Sequence, residues 1–363
     1  MHRIFSVLML VVSLGLFAQE EKNDTYYDLN FFAGNIALHN NYILHLISGH
    51  PNGVIFGWNK KTHGEHAWEQ QYNYPDYGAS FVYQDFKNES LGVNYGLLGH
   101  YNFYFFRRHL MLRLGQGIGY NTNPYHKTKN PKNIAFGSHL LSATYVLLNY
   151  KKENLFKNLG LQVGLTLTHF SNANLKAPNT GINTVAFNLG LLYSFNDNKR
   201  DFITTDGELN LNKRLKYNFA LRSGLNESDI VGSGQYPFYI ISGYVDKRLN
   251  NVSAIQLGAE VFFSNFLKEL IYYQSVSFPE ENVSGQEDYK RVGVFAGHEL
   301  FINKLSVETQ LGYYIYYPFD FEGRTYVRLG LKRYFGELFF GAISLKSHGA
   351  KAEALEFGIG VRL

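Results

Sequence analysis

The chain has 363 residues, 17% of them aromatic and 18% charged, with 30 Phe, 28 Tyr, 35 Gly, 8 Pro and no Cys. That composition excludes a disordered chain, a disulfide scaffold, a thiolate metal site and a Cys nucleophile. A formal net charge of +4, from 34 Lys and Arg against 30 Asp and Glu, is too small to indicate a nucleic-acid partner.

Met1–Gln19 reads MHRIFSVLMLVVSLGLFAQ. His2 and Arg3 give a positive start, Ile4–Phe17 an apolar run, and Ala18 a small residue ahead of the polar stretch Glu20–Asp24. These are the parts of a secretory signal peptide, too short and wrongly flanked for a spanning helix. A lipoprotein is excluded because no Cys can carry the lipid. No later stretch approaches the roughly 20 apolar residues of a membrane helix. The exported chain is therefore either soluble or a barrel in an outer membrane.

Candidate strands follow almost without interruption, near 25–38, 53–60, 78–86, 92–106, 109–121, 135–149, 159–171 and 184–196. The second half adds 213–223, 236–248, 252–263, 289–299, 303–316, 324–335, 337–347 and 354–363. Turn-rich stretches separate them, at Asn121–Asn123, Lys127–Lys132, Asn196–Lys199 and Gly232–Gly234. The closest candidate for a linker is the polar stretch Asn196–Asn210.

The strands are two-faced. Leu305, Val307, Thr309, Leu311, Tyr313 and Ile315 alternate with Ser306, Glu308, Gln310, Gly312, Tyr314 and Tyr316. The last strand sets Leu355, Phe357, Ile359, Val361 and Leu363 against Glu356, Gly358, Gly360 and Arg362. Many strands are longer than the usual five or six residues of globular proteins. Long strands with one apolar and one polar face predict an all-β transmembrane antiparallel barrel, apolar outside and polar within. The expectation is a single barrel of about 14–16 strands. The alternative is two eight-stranded units in tandem, because SLKSHGAKAEALEFGIGV near the end faintly echoes LTLTHFSNANL and TVAFNLGLL. With both termini on the periplasmic side, the long segment Lys61–Tyr77 falls where turns should be short, which puts the early strand count in question.

One segment carries chemistry. Residues 168–182 read THFSNANLKAPNTGI between two good strands. Leu161, Val163, Leu165, Leu167, His169 and Ser171 share the apolar face, opposite Gln162, Gly164, Thr166, Thr168 and Phe170. An imidazole and a hydroxyl two residues apart on a strand lie on one side within hydrogen-bond reach. Two polar groups on a lipid face are costly unless they are used. Asn183 belongs to the outward face of the next strand, with Val185, Phe187, Leu189 and Leu191, so a hairpin brings it beside His169.

HFSNANLKAPNTGI resembles the H-x-S-N-A…P-N-x-G-I signature of the PagL-type lipid A deacylases, outer-membrane esterases also described as acyloxyacyl hydrolases. The resemblance covers about 110–196 well, including LGQGIGY at 114–120 and FGSHL at 136–140, and says little about 200–363. It implies a cell outer membrane location and removal of a fatty acyl chain from lipid A, the lipopolysaccharide anchor. It also implies His169 as general base and Ser171 as nucleophile, with the Asn172 segment and Asn174 as oxyanion or substrate groups. No cofactor and no metal are needed. The family's acidic triad member falls on the residue after Gly-Ile, which here is Asn183. Asn can accept the His N–H but cannot neutralise imidazolium. Lowered activity, a substitute carboxylate or a silent site all follow from that departure. The alternative function is a non-catalytic outer-membrane barrel, either a channel or a lipopolysaccharide-binding protein. In domain order the expectation is a signal peptide at 1–19, a deacylase-like barrel half at 20–199, and further strands of the same barrel at 200–363. The sequence leaves a homodimer open.

Weaker constellations remain. His45, His50, His63 and His66 cluster in sequence but lie in predicted loops with no i,i+4 pair on one element, which argues against a metal site. His126, Lys127, Lys129 and Lys132 form a basic run in a predicted outer loop, either solvated or facing lipid A phosphates. His348 shares a face with Lys346 and Ser344 and is expected in the lumen or a loop. Gly115, Gly117 and Gly119 alternate in a strand, as close packing inside a barrel requires. Trp58 and Trp68 are candidate interface anchors.

Overall fold

The computed structural model describes residues 24–195, 201–204, 214–349 and 351–363. Residues 1–19, expected to be a signal peptide, and most of Asn196–Asn210 lie outside the described residues. Eight strands make the first unit: β1 (Thr25–Ile36), β2 (Asn52–Lys60), β3 (Asp76–Asp85), β4 (Val93–Phe105), β5 (Leu110–Asn121), β6 (Leu140–Phe156), β7 (Leu159–Ser171) and β8 (Ile182–Ser194). A short helix, α1 (Ala67–Gln71), lies between β2 and β3. The second unit holds β9 (Leu215–Asn226), β10 (Tyr236–Arg248), β11 (Ser253–Ser264), β12 (Lys290–Ile302), β13 (Leu305–Tyr316), β14 (Thr325–Phe335), β15 (Phe339–His348) and β16 (Lys351–Arg362). Its helix α2 (Phe266–Ser277) follows β11.

These strands close into two barrels rather than one. β8 returns to β1, from Tyr26 opposite Ser194 to Ile36 opposite Thr184. β16 returns to β9, from Phe357 opposite Ser223 to Arg362 opposite Asn218. The expectation of a single large barrel, with 200–363 as more of its strands, is therefore corrected to the tandem alternative. Alternation cannot distinguish the two, because an eight-stranded and a sixteen-stranded barrel impose the same period of two on each strand. Only the pairing of the edge strands decides.

The faces fall as the pattern requires. On β13, Ser306, Glu308 and Gln310 are fully buried while Leu311, Tyr313 and Ile315 are exposed. Eight strands leave an interior that side chains fill. In the first lumen Arg113 makes a two-pronged contact with Asp28, at 2.9 and 2.7 Å, and also donates to Asn102 and Asn59. In the second, Arg328 bridges Glu260 at 2.9 Å and Glu356 at 2.6 Å, and Lys332 reaches Glu299 at 3.1 Å. These charges are enclosed but paired, as buried charges must be. At its upper end the first lumen turns apolar, with Phe32, Phe86, Phe136, Phe170 and Ile182 in one cluster. Gly115 and Gly119 point inward there and leave room for the rings of Tyr145 and Phe170.

Each barrel has a loop end, after its odd-numbered strands, and a turn end. The long segment 61–75 lies at the turn end, and the strand count that it put in question is correct. The segment is long because it carries α1 and receives the chain between the barrels. The Ile203 N–H donates to the His63 carbonyl at 2.8 Å, and the Phe202 ring lies 4.3 Å from Tyr74. The Tyr72 hydroxyl donates to the Phe301 carbonyl of the second barrel at 2.8 Å. The barrels also meet at the loop end, beside the segment joining β7 to β8.

Candidate active site

β7 and β8 set the site by register. Phe170 and Ile182 pair with each other and point into the buried cluster. Their neighbours His169 and Asn183, also a pair, must then point outward. His169 Nδ1 lies 2.7 Å from Asn183 Oδ1, and His169 Nε2 lies 3.0 Å from Ser171 Oγ. An Asn carbonyl oxygen can only accept, so Nδ1 carries the proton and Nε2 is left to accept from the serine hydroxyl. Among the described residues no carboxylate takes the place of Asn183 at Nδ1. Below the pair the same face of β7 is a row of exposed apolar groups, Leu161, Val163, Leu165 and Leu167.

Ser171 opens the loop 172–181, which is held from beneath by the loop 122–139. The Thr180 and Gly181 N–H groups donate to Ile134 and Ala135 carbonyls, each at 3.2 Å. Gly137 approaches so closely that a Cβ there would meet the Lys176 carbonyl oxygen at 2.4 Å. Asn172 is tied within the loop: its N–H donates to Asn179 Oδ1 at 2.7 Å, and its Nδ2 donates to the Lys176 carbonyl at 2.6 Å. Its own N–H is thus already engaged, and the other N–H groups of the Asn172 segment remain for an oxyanion. Ala173 and Asn174 follow with φ of 53° and 62°, and their N–H groups find no hydrogen-bond partner among the described residues. The Asn174 side chain turns away and donates to the Glu227 carbonyl of the second barrel at 3.0 Å.

Other predicted groups separate. His45 and His50 sit at the loop end, bonded to the Lys132 carbonyl and to Asn35 Oδ1. His63 and His66 lie at the turn end, His63 facing Asp24 at 3.0 Å. They do not form one cluster. Lys127, Lys129 and Lys132 belong to the loop packed under residues 172–181. His348 faces the second lumen and meets Glu353 at 2.6 Å. Trp58 lies on the outward face, and Trp68, on α1, packs edge-on to Tyr101. Asn179 stands inside the P-N-x-G-I run and Gly137 inside FGSHL, and those runs are the signal by which both can be found. Glu227 has no such signal, because contacts across barrels leave no local pattern.

Two family models match the chain: lipid A 3-O-deacylase (PagL) over residues 52–192, and acyloxyacyl hydrolase, C-terminal domain, over residues 215–363. The chain belongs to the PagL family. The first match runs from β2 through most of β8 and contains His169, Ser171 and Asn183, and the second takes in the whole second barrel. The PagL family is one of outer-membrane lipid A deacylases. No curated protein matches the chain. Among solved structures, a mutant of the Rh. blastica porin is 9% identical with a TM-score of 0.19, covering 93% of this chain and 99% of that one. The Acinetobacter baumannii outer membrane protein Omp33 is 9% identical with a TM-score of 0.18, covering 94% and 99%. At such scores the fold rests on the strand pairing alone.

Proposed function

We propose that this protein is an outer-membrane esterase that removes a fatty acyl chain from lipid A by Ser-His hydrolysis, reached after cleavage of the 1–19 signal peptide. The observation that carries the reading is His169 bonded on one side to Asn183 and on the other to Ser171, on a face otherwise made for lipid. A serine hydroxyl is a weak nucleophile at neutral pH without such a base. His169 Nε2 takes the Oγ proton as Oγ attacks the ester carbonyl of an acyl chain already in the membrane. The Ala173 and Asn174 N–H groups, free of other partners and next to Ser171, supply the oxyanion stabilisation. The intermediate collapses, the sugar oxygen leaves with the proton from Nε2, and an acyl-serine remains. Water, deprotonated by His169, then releases the fatty acid. The 3-O ester named by the family is the first to test.

With both termini on the inner side of the membrane, the loop end, and so Ser171, faces the outer leaflet where lipid A resides. Asn183 brings no negative charge to the imidazolium, which favours a second reading as a non-catalytic lipopolysaccharide-binding barrel. A fluorophosphonate carrying an acyl tail decides between them. Covalent mass at Ser171, lost in His169→Ala, supports the esterase; an unlabelled serine in folded protein favours the binding protein.

A further inference from the structure

The loop that follows Ser171 is not shaped by its own barrel alone. Ala173 and Asn174 are non-glycine residues in left-handed backbone, a conformation that persists only where surrounding contacts hold it. From one side the hold comes from Asn179, Ile134 and Ala135. From the other it comes from the loop joining β9 to β10 in the second barrel. The Glu227 N–H donates to the Asn174 carbonyl at 3.2 Å, and Asn174 Nδ2 returns a bond to the Glu227 carbonyl at 3.0 Å. Glu227 Oε2 accepts the Ala177 N–H at 2.9 Å, and Gln235 Nε2 donates to the Leu175 carbonyl at 2.6 Å.

Glu227 is built for this. It is 3% exposed, yet its carboxylate meets backbone N–H groups and no cation among its hydrogen bonds. Oε1 accepts from Gly232 at 3.0 Å and Gly234 at 3.2 Å, both at positive φ, so the second barrel's loop wraps the carboxylate. The other oxygen is left for Ala177 of the first barrel. A buried charge is costly to keep, and this one is spent on fixing two loops to each other.

We propose that Glu227 is a positioning residue for the deacylation, through which the second barrel sets the shape of the segment carrying the Ala173 and Asn174 N–H groups. The inference rests on the esterase reading. It makes the second barrel part of the working site rather than an appendage. Oxyanion donors act on charge that develops only in the transition state, so their displacement lowers kcat and leaves KM largely alone.

The test uses the full chain, refolded or extracted in detergent, with purified lipid A in mixed micelles as substrate. The folded fraction is read by heat-modifiable electrophoretic mobility. Glu227→Ala is expected to lower kcat about 100-fold, the scale of a 1 Å misplacement, with KM unchanged. Glu227→Gln offers the same test at less risk to folding: one amide oxygen can serve one loop, while the NH2 opposes an N–H on the other. It too should lose kcat. Asp229→Asn, at an exposed ion pair with Lys351 in the same loop, should behave as wild type. A folded Glu227→Ala or Glu227→Gln with wild-type kcat, or a loss confined to KM, overturns the proposal while wild-type activity keeps the esterase reading. A wild type that releases no fatty acid overturns both.

Discussion

His169 Nδ1 and Asn183 Oδ1 stand 2.7 Å apart at directly opposed positions of β7 and β8. The bond fixes the imidazole tautomer, the task an Asn can perform, and supplies no negative charge, the task it cannot. Asn183→Ala removes the acceptor and is expected to lower kcat by up to about 10⁴-fold, the scale of a triad left with the wrong imidazole tautomer. Asn183→Glu adds the charge and is expected to hold or raise kcat. Steady-state kinetics on lipid A checks both. A Glu variant that loses activity would show that position 183 is not the orienting position.

Gly181 makes a second, purely steric prediction. It sits at φ +65°, and a Cβ there would stand 3.1 Å from the Phe170 carbonyl oxygen, 3.2 Å from Ser171 Cβ and 3.4 Å from His169 Cε1. Gly181→Ala therefore strains the backbone, at about 1–2 kcal/mol, and presses on His169 and Ser171 at once. The barrel should still fold, since the strain lies in a loop, while kcat falls by roughly tenfold or more from lost alignment. Folded protein with full activity would contradict the placement of the loop against the site.

The filled lumens bear on the channel alternative. Arg113, Arg222, Arg291 and Arg328 are among the largest fully buried side chains, and each is engaged across its barrel. No stepwise conductance is expected when the purified protein is added to planar bilayers. Porin-like open steps would contradict the packing of both interiors.

Most of the fold was legible because a membrane barrel writes itself into sequence residue by residue. Lipid outside and a polar interior force the alternation seen from Leu305 to Tyr316, and it recurs in every strand. His169 and Ser171 were legible for the same reason: they break the apolar row Leu161–Leu167 on its own face. Closure was not legible, because Tyr26 opposite Ser194 is a contact over nearly the whole first half of the chain and alters neither face. Nor was the engagement of Asn172, whose N–H is taken by Asn179 through a loop conformation that no periodicity reports. Glu227 lies furthest from view: on sequence it is one acid in NES, and only the meeting of two barrels gives it Ala177 as a partner.

Mass spectrometry of lipid A exposed to the wild type, His169→Ala and Ser171→Ala tests the esterase reading most directly. The wild type should yield lipid A lighter by one acyl chain together with the free fatty acid, and both variants should leave it intact. The same acyl pattern from all three proteins would contradict the account.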